Sequence, residues 1–574
     1  MLSQAGREIL LKAVIQAIPT FAMSCFKIPT TLCEEIESLI RKFWWGQRGN
    51  QRKIHWTKWS ALCKPKDLGG MGFKDLQKFN EAMLAKQVWR LLDNNDSLFH
   101  WFFKSKFFPN GSILKAKEGN GSFAWKSILK GRDVIKKSLQ WRVGNGDSIH
   151  IFHDVWLPTP RPQKVISSYS PLGYDAKVSV LIDHDNCCWR EYVIDSSFLP
   201  HEASLIKAIP LSLDSCEDVL FWPRNSNGLY SVKSGYKLLL ECELNDEPSS
   251  SDLSLSKKVW RGIWNLKIPN RVKNLLWRAG TEALPTRVNL RKRKILTEDS
   301  CPHCLLEKKT SFHALWSCSC LYPVWQVHFR WLSKLAVNCS SFLDVIQLTQ
   351  DHNNLSDLFA MTAALIWARR NQIRVGDKVL PIEKINSTAL ENLQEFQLAS
   401  SAPHHAPPTF KPAKWSPPPP GWMKVNFDGA TFSSKALAGL GAIIRNDQGL
   451  VMAAYTHSIP LPTLVETVEV LAACSTICLA KDLNFSKVIF EGDSEIIIKA
   501  INKGELLSSS FGHILNDINL LSKSFQRVSF CHTRRQGNRV AHGLARMACN
   551  FSDYQVWMED VPPDLYDVYC SDFP

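Results

Sequence analysis

Three carboxylates near the C-terminus are spaced so that they could share metal ions. The run Val425-Asn426-Phe427-Asp428-Gly429 reads as a strand ending in an aspartate, and Val488-Ile489-Phe490-Glu491-Gly492-Asp493 does the same sixty-five residues later. Between them Glu469 sits on an amphipathic stretch, Leu464–Asp482, with helical periodicity. Two strand ends and a helix can deliver Asp428, Glu469 and Asp493 to one place. Hard oxygen ligands of this kind suit two Mg²⁺ (or Mn²⁺) ions, typically about 3.5–4 Å apart, one activating water and the other stabilising the leaving oxygen of a phosphodiester.

A second constellation is rich in sulfur. Cys301, Cys304, His313 and Cys318 follow the spacing C-x2-C-x8-H-x4-C. Three thiolates and an imidazole make a tetrahedral set for one structural Zn²⁺. The first pair falls on one tight turn that Pro302 helps to preset, and His303 and Cys320 are nearby alternatives for the fourth ligand. A closed site of this type stabilises local folding and leaves no open position for chemistry.

These residues must be held by a chain of 574 residues, long enough for several domains. Its 45% hydrophobic and 21% charged content is that of a globular protein. A formal net charge of +15 points to a polyanionic partner, nucleic acid before membrane, because no segment approaches the roughly 20 apolar residues that span a bilayer. The apolar run from Ile9 to Phe26 is interrupted by Lys12 and Pro19 and reads as internal helix, not as a leader. Seventeen cysteines without a regular framework argue for reduced thiols and a nuclear or cytoplasmic protein.

Along the chain, residues 1–155 read as helices with basic, aromatic-rich connections, including helical patterns over Glu34–Trp45 and Asn80–Leu92. Residues 156–255 form a connecting region without assignable chemistry, ending in the polar stretch Glu247–Ser256. Residues 256–335 hold the zinc-type module. Its leading part carries twelve Lys/Arg against three Asp/Glu from Lys257 through Asp299, interleaved with Trp260, Trp264 and Trp277. That mixture suits either a nucleic-acid backbone with stacked bases or an amphipathic helix pair with core tryptophans. A helical connector (336–397) leads to a Pro-rich linker (398–421) with eight prolines, expected to be an extended spacer. The compact domain 422–552 then reads as three antiparallel strands followed by alternating strands and helices, a mixed five-stranded α/β sheet, with 553–574 as a tail.

The stretches Asn426-Phe427-Asp428-Gly429-Ala430, Glu469-Val470-Leu471-Ala472-Ala473, Glu491-Gly492-Asp493-Ser494 and Arg535-Gln536-Gly537-Asn538-Arg539-Val540-Ala541-His542 resemble ribonuclease H type 1 as carried by plant LINE-type (non-LTR) retroelements. Upstream, Phe43-Trp44-Trp45-Gly46, His55-Trp56, Gly69-Gly70-Met71-Gly72-Phe73 and Phe79-Asn80 resemble the region after a reverse-transcriptase palm in the same proteins. Cys301 to Trp325 resembles their zinc-binding module.

The resemblance implies the C-terminal part of a longer retroelement polyprotein and hydrolysis of the RNA strand of RNA–DNA hybrids. Asp428, Glu469 and Asp493 would be metal ligands, His532 a mobile histidine that assists proton transfer or product release, and Gly429 a point of close approach to the hybrid. The family generally places an aspartate where this chain has His542, which would then be the fourth ligand and a weaker one for Mg²⁺. No Asp-Asp pair occurs in the chain, so polymerase activity is not expected. The rival reading is a catalytically weak or inactive relic that binds nucleic acid, hybrid or single strands, without turnover.

Overall fold

The computed structural model describes the chain except residues 1, 48–50, 52, 94, 160–161, 169–170, 247–252, 352–354, 401–413 and 573–574. Most of the Pro-rich linker and the first part of the polar stretch 247–256 therefore lie outside the described residues. Two compact units are present, each assembled from segments distant in sequence: Met1–Arg132 with Tyr236–Pro407, and Asp133–Gly235 with Pro408–Pro574.

The first unit is helical. The helix Thr30–Trp44 buries Cys33, Ile40 and Trp44, apolar positions recurring every third or fourth residue. The apolar N-terminal run breaks into Gln4–Leu10, a π-turn at Leu11–Ile15 and Thr20–Cys25, with Pro19 at the last break. Trp44, Trp59, Phe73, Trp260, Trp277 and Phe359 meet in one core. Trp260 and Trp277 are only 5% and 1% exposed, so the stacking alternative for them is overturned. Their hydrophobic faces gain more by joining the core than a ligand could repay.

The second unit is built on one mixed sheet. Its strands are β1 (Met423–Phe432), β2 (Leu437–Arg445), β3 (Val451–Pro460), β4 (Lys487–Gly492), β5 (Arg527–His532) and β6 (Gln555–Met558). The spatial order is β6-β3-β2-β1-β4-β5, antiparallel from β6 to β1 and parallel from β1 to β5. The helices are α1 (Val465–Asp482), α2 (Glu495–Lys503), α3 (Gly512–Ser522) and α4 (Arg539–Met547).

The expected five-stranded α/β sheet is thus present with a correction: it has six strands. The sixth comes from the supposed tail, where Gln555–Met558 pairs with β3. β1 is buried on both faces over most of its length. As a central strand it has helix against each face. A Cβ at Gly429 would fall 2.9 Å from Val468 of α1, while Gly441, paired with Asp428 on the neighbouring strand, has no room for a Cβ against α4.

The segment 133–235 buttresses this sheet domain. Arg142 donates to the carbonyls of Leu507 (2.6 Å) and Ser509 (2.7 Å), Ser212 Oγ donates to Asp517 (2.6 Å), and His513 Nε2 lies 2.9 Å from the Pro210 carbonyl.

Candidate metal centres

The parallel pairing of β1 with β4 sets Asn426 beside Glu491 and brings Asp428 and Asp493 together where β4 ends. As a correction to the expected strand end, Asp428 lies within β1, because pairing with β2 carries the strand on to Phe432. Glu469 arrives from the first turns of α1. Gly429 permits this approach: its missing Cβ leaves space for the Val468–Glu469 backbone. Its observed role is therefore to seat the helix. One oxygen from each of Asp428, Glu469 and Asp493 lies within 4.8 Å of the others.

Three carboxylates this close repel one another. Burial, then Asp493, pushes the Asp428 carboxyl up to about 6, against the help of His542 and the Gly429 N–H. Burial, then Asp428 and Asp493, pushes Glu469 up to about 9. Glu469 Oε2 is buried with no hydrogen-bond partner among the described residues. A buried acceptor without a donor is costly, and a divalent cation is the group that satisfies it and the repulsion at once. The donor set is all oxygen, so it fits Mg²⁺ or Mn²⁺ in kind.

His542 projects from α4, on the Asp428 face of the sheet, with Nδ1 2.6 Å from Asp428 Oδ2. It joins the cluster as a partner of Asp428. His532, at the end of β5, is exposed and its Nε2 lies 3.1 Å from the main-chain oxygen of Asp493, so it stands at the rim of the cluster. Asn538, buried ahead of α4, donates to the Phe427 carbonyl at 2.8 Å and ties that helix to the strand bearing Asp428.

Beneath the carboxylates runs a buried polar chain that the sequence reading missed. Arg445 donates to Asp572 (2.8 Å) and Asn426 (3.0 Å) and lies 3.8 Å from the ring centroid of Trp415. Asn426 reaches Glu491 (3.1 Å), which also holds Lys424 (2.8 Å). The chain cross-links β1 and β4 two residues before Asp428 and Asp493. A buried arginine so far in sequence from Asp572 carries no local signal.

In the first unit Cys301, Cys304, His313 and Cys318 also bring one ligand atom each within 4.8 Å of the others. Cys320 is exposed and bonded to the His303 carbonyl (3.6 Å), and neither alternate belongs to the cluster. Cys304 Sγ faces His313 Nε2 at 3.3 Å, while His313 Nδ1 meets Glu307 at 2.8 Å. This is the arrangement of a metal-ligating histidine oriented by a carboxylate. Burial raises the Cys301 thiol, but the Cys304 and His303 N–H groups, Arg370 and His313 outweigh it and bring the group down to about 6. Burial pushes Cys318 up to about 11. The cluster suits one structural Zn²⁺.

Comparisons with known proteins match both parts of the chain that hold these clusters. Residues 426–548 match the family model described as reverse transcriptase-like, and residues 230–325 match the model for zinc-binding in reverse transcriptase. A "Putative ribonuclease H protein" of Arabidopsis thaliana is 26% identical over 578 residues, covering 96% of this chain and 90% of the relative. An "Uncharacterized mitochondrial protein" of the same plant is 39% identical over 150 residues, 25% of this chain and 97% of its own. Among solved structures, RNase H1 of Halobacterium salinarum is similar over 22% of this chain and 98% of its own, at 21% identity and a TM-score of 0.21. The chain belongs to the plant retroelement proteins that join a reverse-transcriptase zinc-binding module to a ribonuclease H-like domain.

Proposed function

We propose that this chain is a nuclease that hydrolyses the RNA strand of RNA–DNA hybrids, with two Mg²⁺ or Mn²⁺ ions held by Asp428, Glu469 and Asp493 and touched by His542. The observation that carries the reading is the three-carboxylate cluster with its unpartnered buried Glu469 oxygen. When bound, divalent ions supply an activated water and charge stabilisation at the leaving oxygen.

The chain's own residues do the rest. The β1–β4 pair and the Asn426–Glu491 bond hold Asp428 and Asp493 at a fixed separation. His542 keeps one Asp428 oxygen oriented. His532 Nε2 donates to the Asp493 carbonyl, which leaves Nδ1 free to accept a proton at the exposed rim. Hybrid is selected by the shape and 2′-hydroxyls of its RNA strand and not by base sequence. The zinc cluster is structural. Asp493→Asn should abolish cleavage while hybrid binding persists, and unchanged cleavage would sink the assignment.

A second reading is favoured by the 2.6 Å His542–Asp428 bond. If that bond persists in the presence of metal, one ligand oxygen is occupied and the domain binds hybrid without turnover.

A further inference from the structure

The basic segment 257–294 does not present Trp260 or Trp277 to solvent, yet the first unit does expose tryptophan beside arginine. Trp45, just past the helix Thr30–Trp44, and Trp56 are both partly buried, Trp45 packing one side of its ring system on the core of this unit with Nε1 buried. His55 stacks on Trp45, with ring centroids 6.5 Å apart and planes 21° from parallel. The Arg278 guanidinium lies 6.0 Å from the centroid of Trp45, held there by two bonds to the Ala283 carbonyl. The Arg293 guanidinium lies 5.3 Å from the centroid of Trp56.

The charge of this face is of one sign. Burial first, then Arg41, Arg293 and Lys42, hold the His55 imidazole below its ordinary range; every charged group acting on it is a cation. Lys42 and Arg293 are exposed and have no carboxylate partner among the described residues. Arg41 has the carboxylate of Glu37 one turn away, but Glu37 accepts from the Leu76 N–H at 2.9 Å, and Arg41 Nε is buried without a partner among the described residues. Uncompensated cations grouped around accessible rings are expensive in an isolated protein and favourable against a polyanion with flat, stackable groups.

We propose that Lys42, Trp45, His55, Trp56 and Arg293 form a second nucleic-acid surface, one that takes a single strand. The cations track phosphates while the rings offer stacking platforms to unpaired bases, which a duplex keeps covered. The surface lies wholly within the first unit and does not depend on the carboxylate centre being active.

The test is fluorescence anisotropy of the full chain with a labelled single-stranded DNA of about 20 nucleotides, measured across a salt series. Lys42→Ala/Arg293→Ala alters two exposed side chains and leaves the core intact. It should weaken binding roughly tenfold at low salt and reduce the slope of log affinity against log salt by about 1.4, at about 0.7 per lost phosphate contact. Trp56→Ala should also weaken binding roughly tenfold but leave that slope unchanged, and a duplex of the same length should compete poorly. Affinity and slope unchanged in the double variant would overturn the proposal. So would wild-type chain that ignores the oligonucleotide and binds phosphatidylserine vesicles instead.

Discussion

His542 Nδ1 lies 2.6 Å from Asp428 Oδ2, which makes the position where this chain departs from the family's usual aspartate a direct partner of a central carboxylate. An imidazole there offsets the repulsion that an aspartate would add. His542→Asp is therefore expected to destabilise the metal-free protein and to tighten divalent binding roughly tenfold, because affinity follows the charge of the ligand set. Thermal melts of the full chain in EDTA and across a Mg²⁺ titration will show both shifts. A variant that melts like the wild type in EDTA would mean the histidine does not relieve the cluster.

The Glu469 carboxyl, pushed up to about 9 by burial and by Asp428 and Asp493, predicts an unusual pH dependence. Its folded value lies above the unfolded one, so the folded state holds the proton more tightly. The associated stability is fully present below about pH 4.5 and is lost as pH rises towards 9. The loss from this one group can reach at most about 1.4 kcal/mol per pH unit. Chemical denaturation of metal-free protein between pH 5 and 9 should show the decline, and Glu469→Gln should flatten it and raise stability at pH 8. The same substitution should remove most of the stabilisation by Mg²⁺.

The zinc cluster predicts about one tightly held Zn²⁺ per chain, lost in Cys301→Ser/Cys304→Ser. A finer consequence follows from the 2.8 Å bond between Glu307 and His313 Nδ1. Glu307→Gln should weaken zinc roughly 10- to 100-fold in a chelator competition, as loss of an orienting partner does elsewhere, with all four ligands in place.

The ion pair of Arg445 with Asp572 is nearly solvent-free, the two side chains being 1% and 4% exposed. Asp572→Ala leaves a buried guanidinium without its counter-charge and should cost about 3–5 kcal/mol. Urea denaturation of the full chain measures it. Ending the chain at residue 552 removes β6 as well and should be worse.

That last point shows what local sequence could not carry. Most elements of the sheet domain were legible because their signals are local: Val488-Ile489-Phe490 is a short apolar run between Lys487 and Glu491, and Leu464–Asp482 has a helical stripe. Glu469 and Asp493 were legible because a helix and a strand end fix where such residues emerge, whereas β1 continues past Asp428 to Phe432. β6 was missed because Gln555–Met558 is short and mostly exposed at a sheet edge, so no alternation marks it. The attachment of residues 133–235 depends on bonds such as Ser212 to Asp517 and Arg142 to Leu507, which have no sequence neighbourhood. Trp260 and Trp277 left two readings open because an amphipathic helix shows which residues share a face, not whether that face meets a ligand or a core; the core reading holds. Trp45 and Trp56 stood in the motifs that carry the resemblance, but a motif does not say which ring reaches the surface.

The most direct measurement is cleavage of an RNA–DNA hybrid labelled on the RNA strand by the full chain, with Mg²⁺ and Mn²⁺ in parallel and Asp428→Asn and Asp493→Asn as controls. The account predicts RNA-strand cleavage that requires the divalent ion and disappears in both variants. Hybrid binding without cleavage in either metal, or cleavage that survives both substitutions, would contradict it.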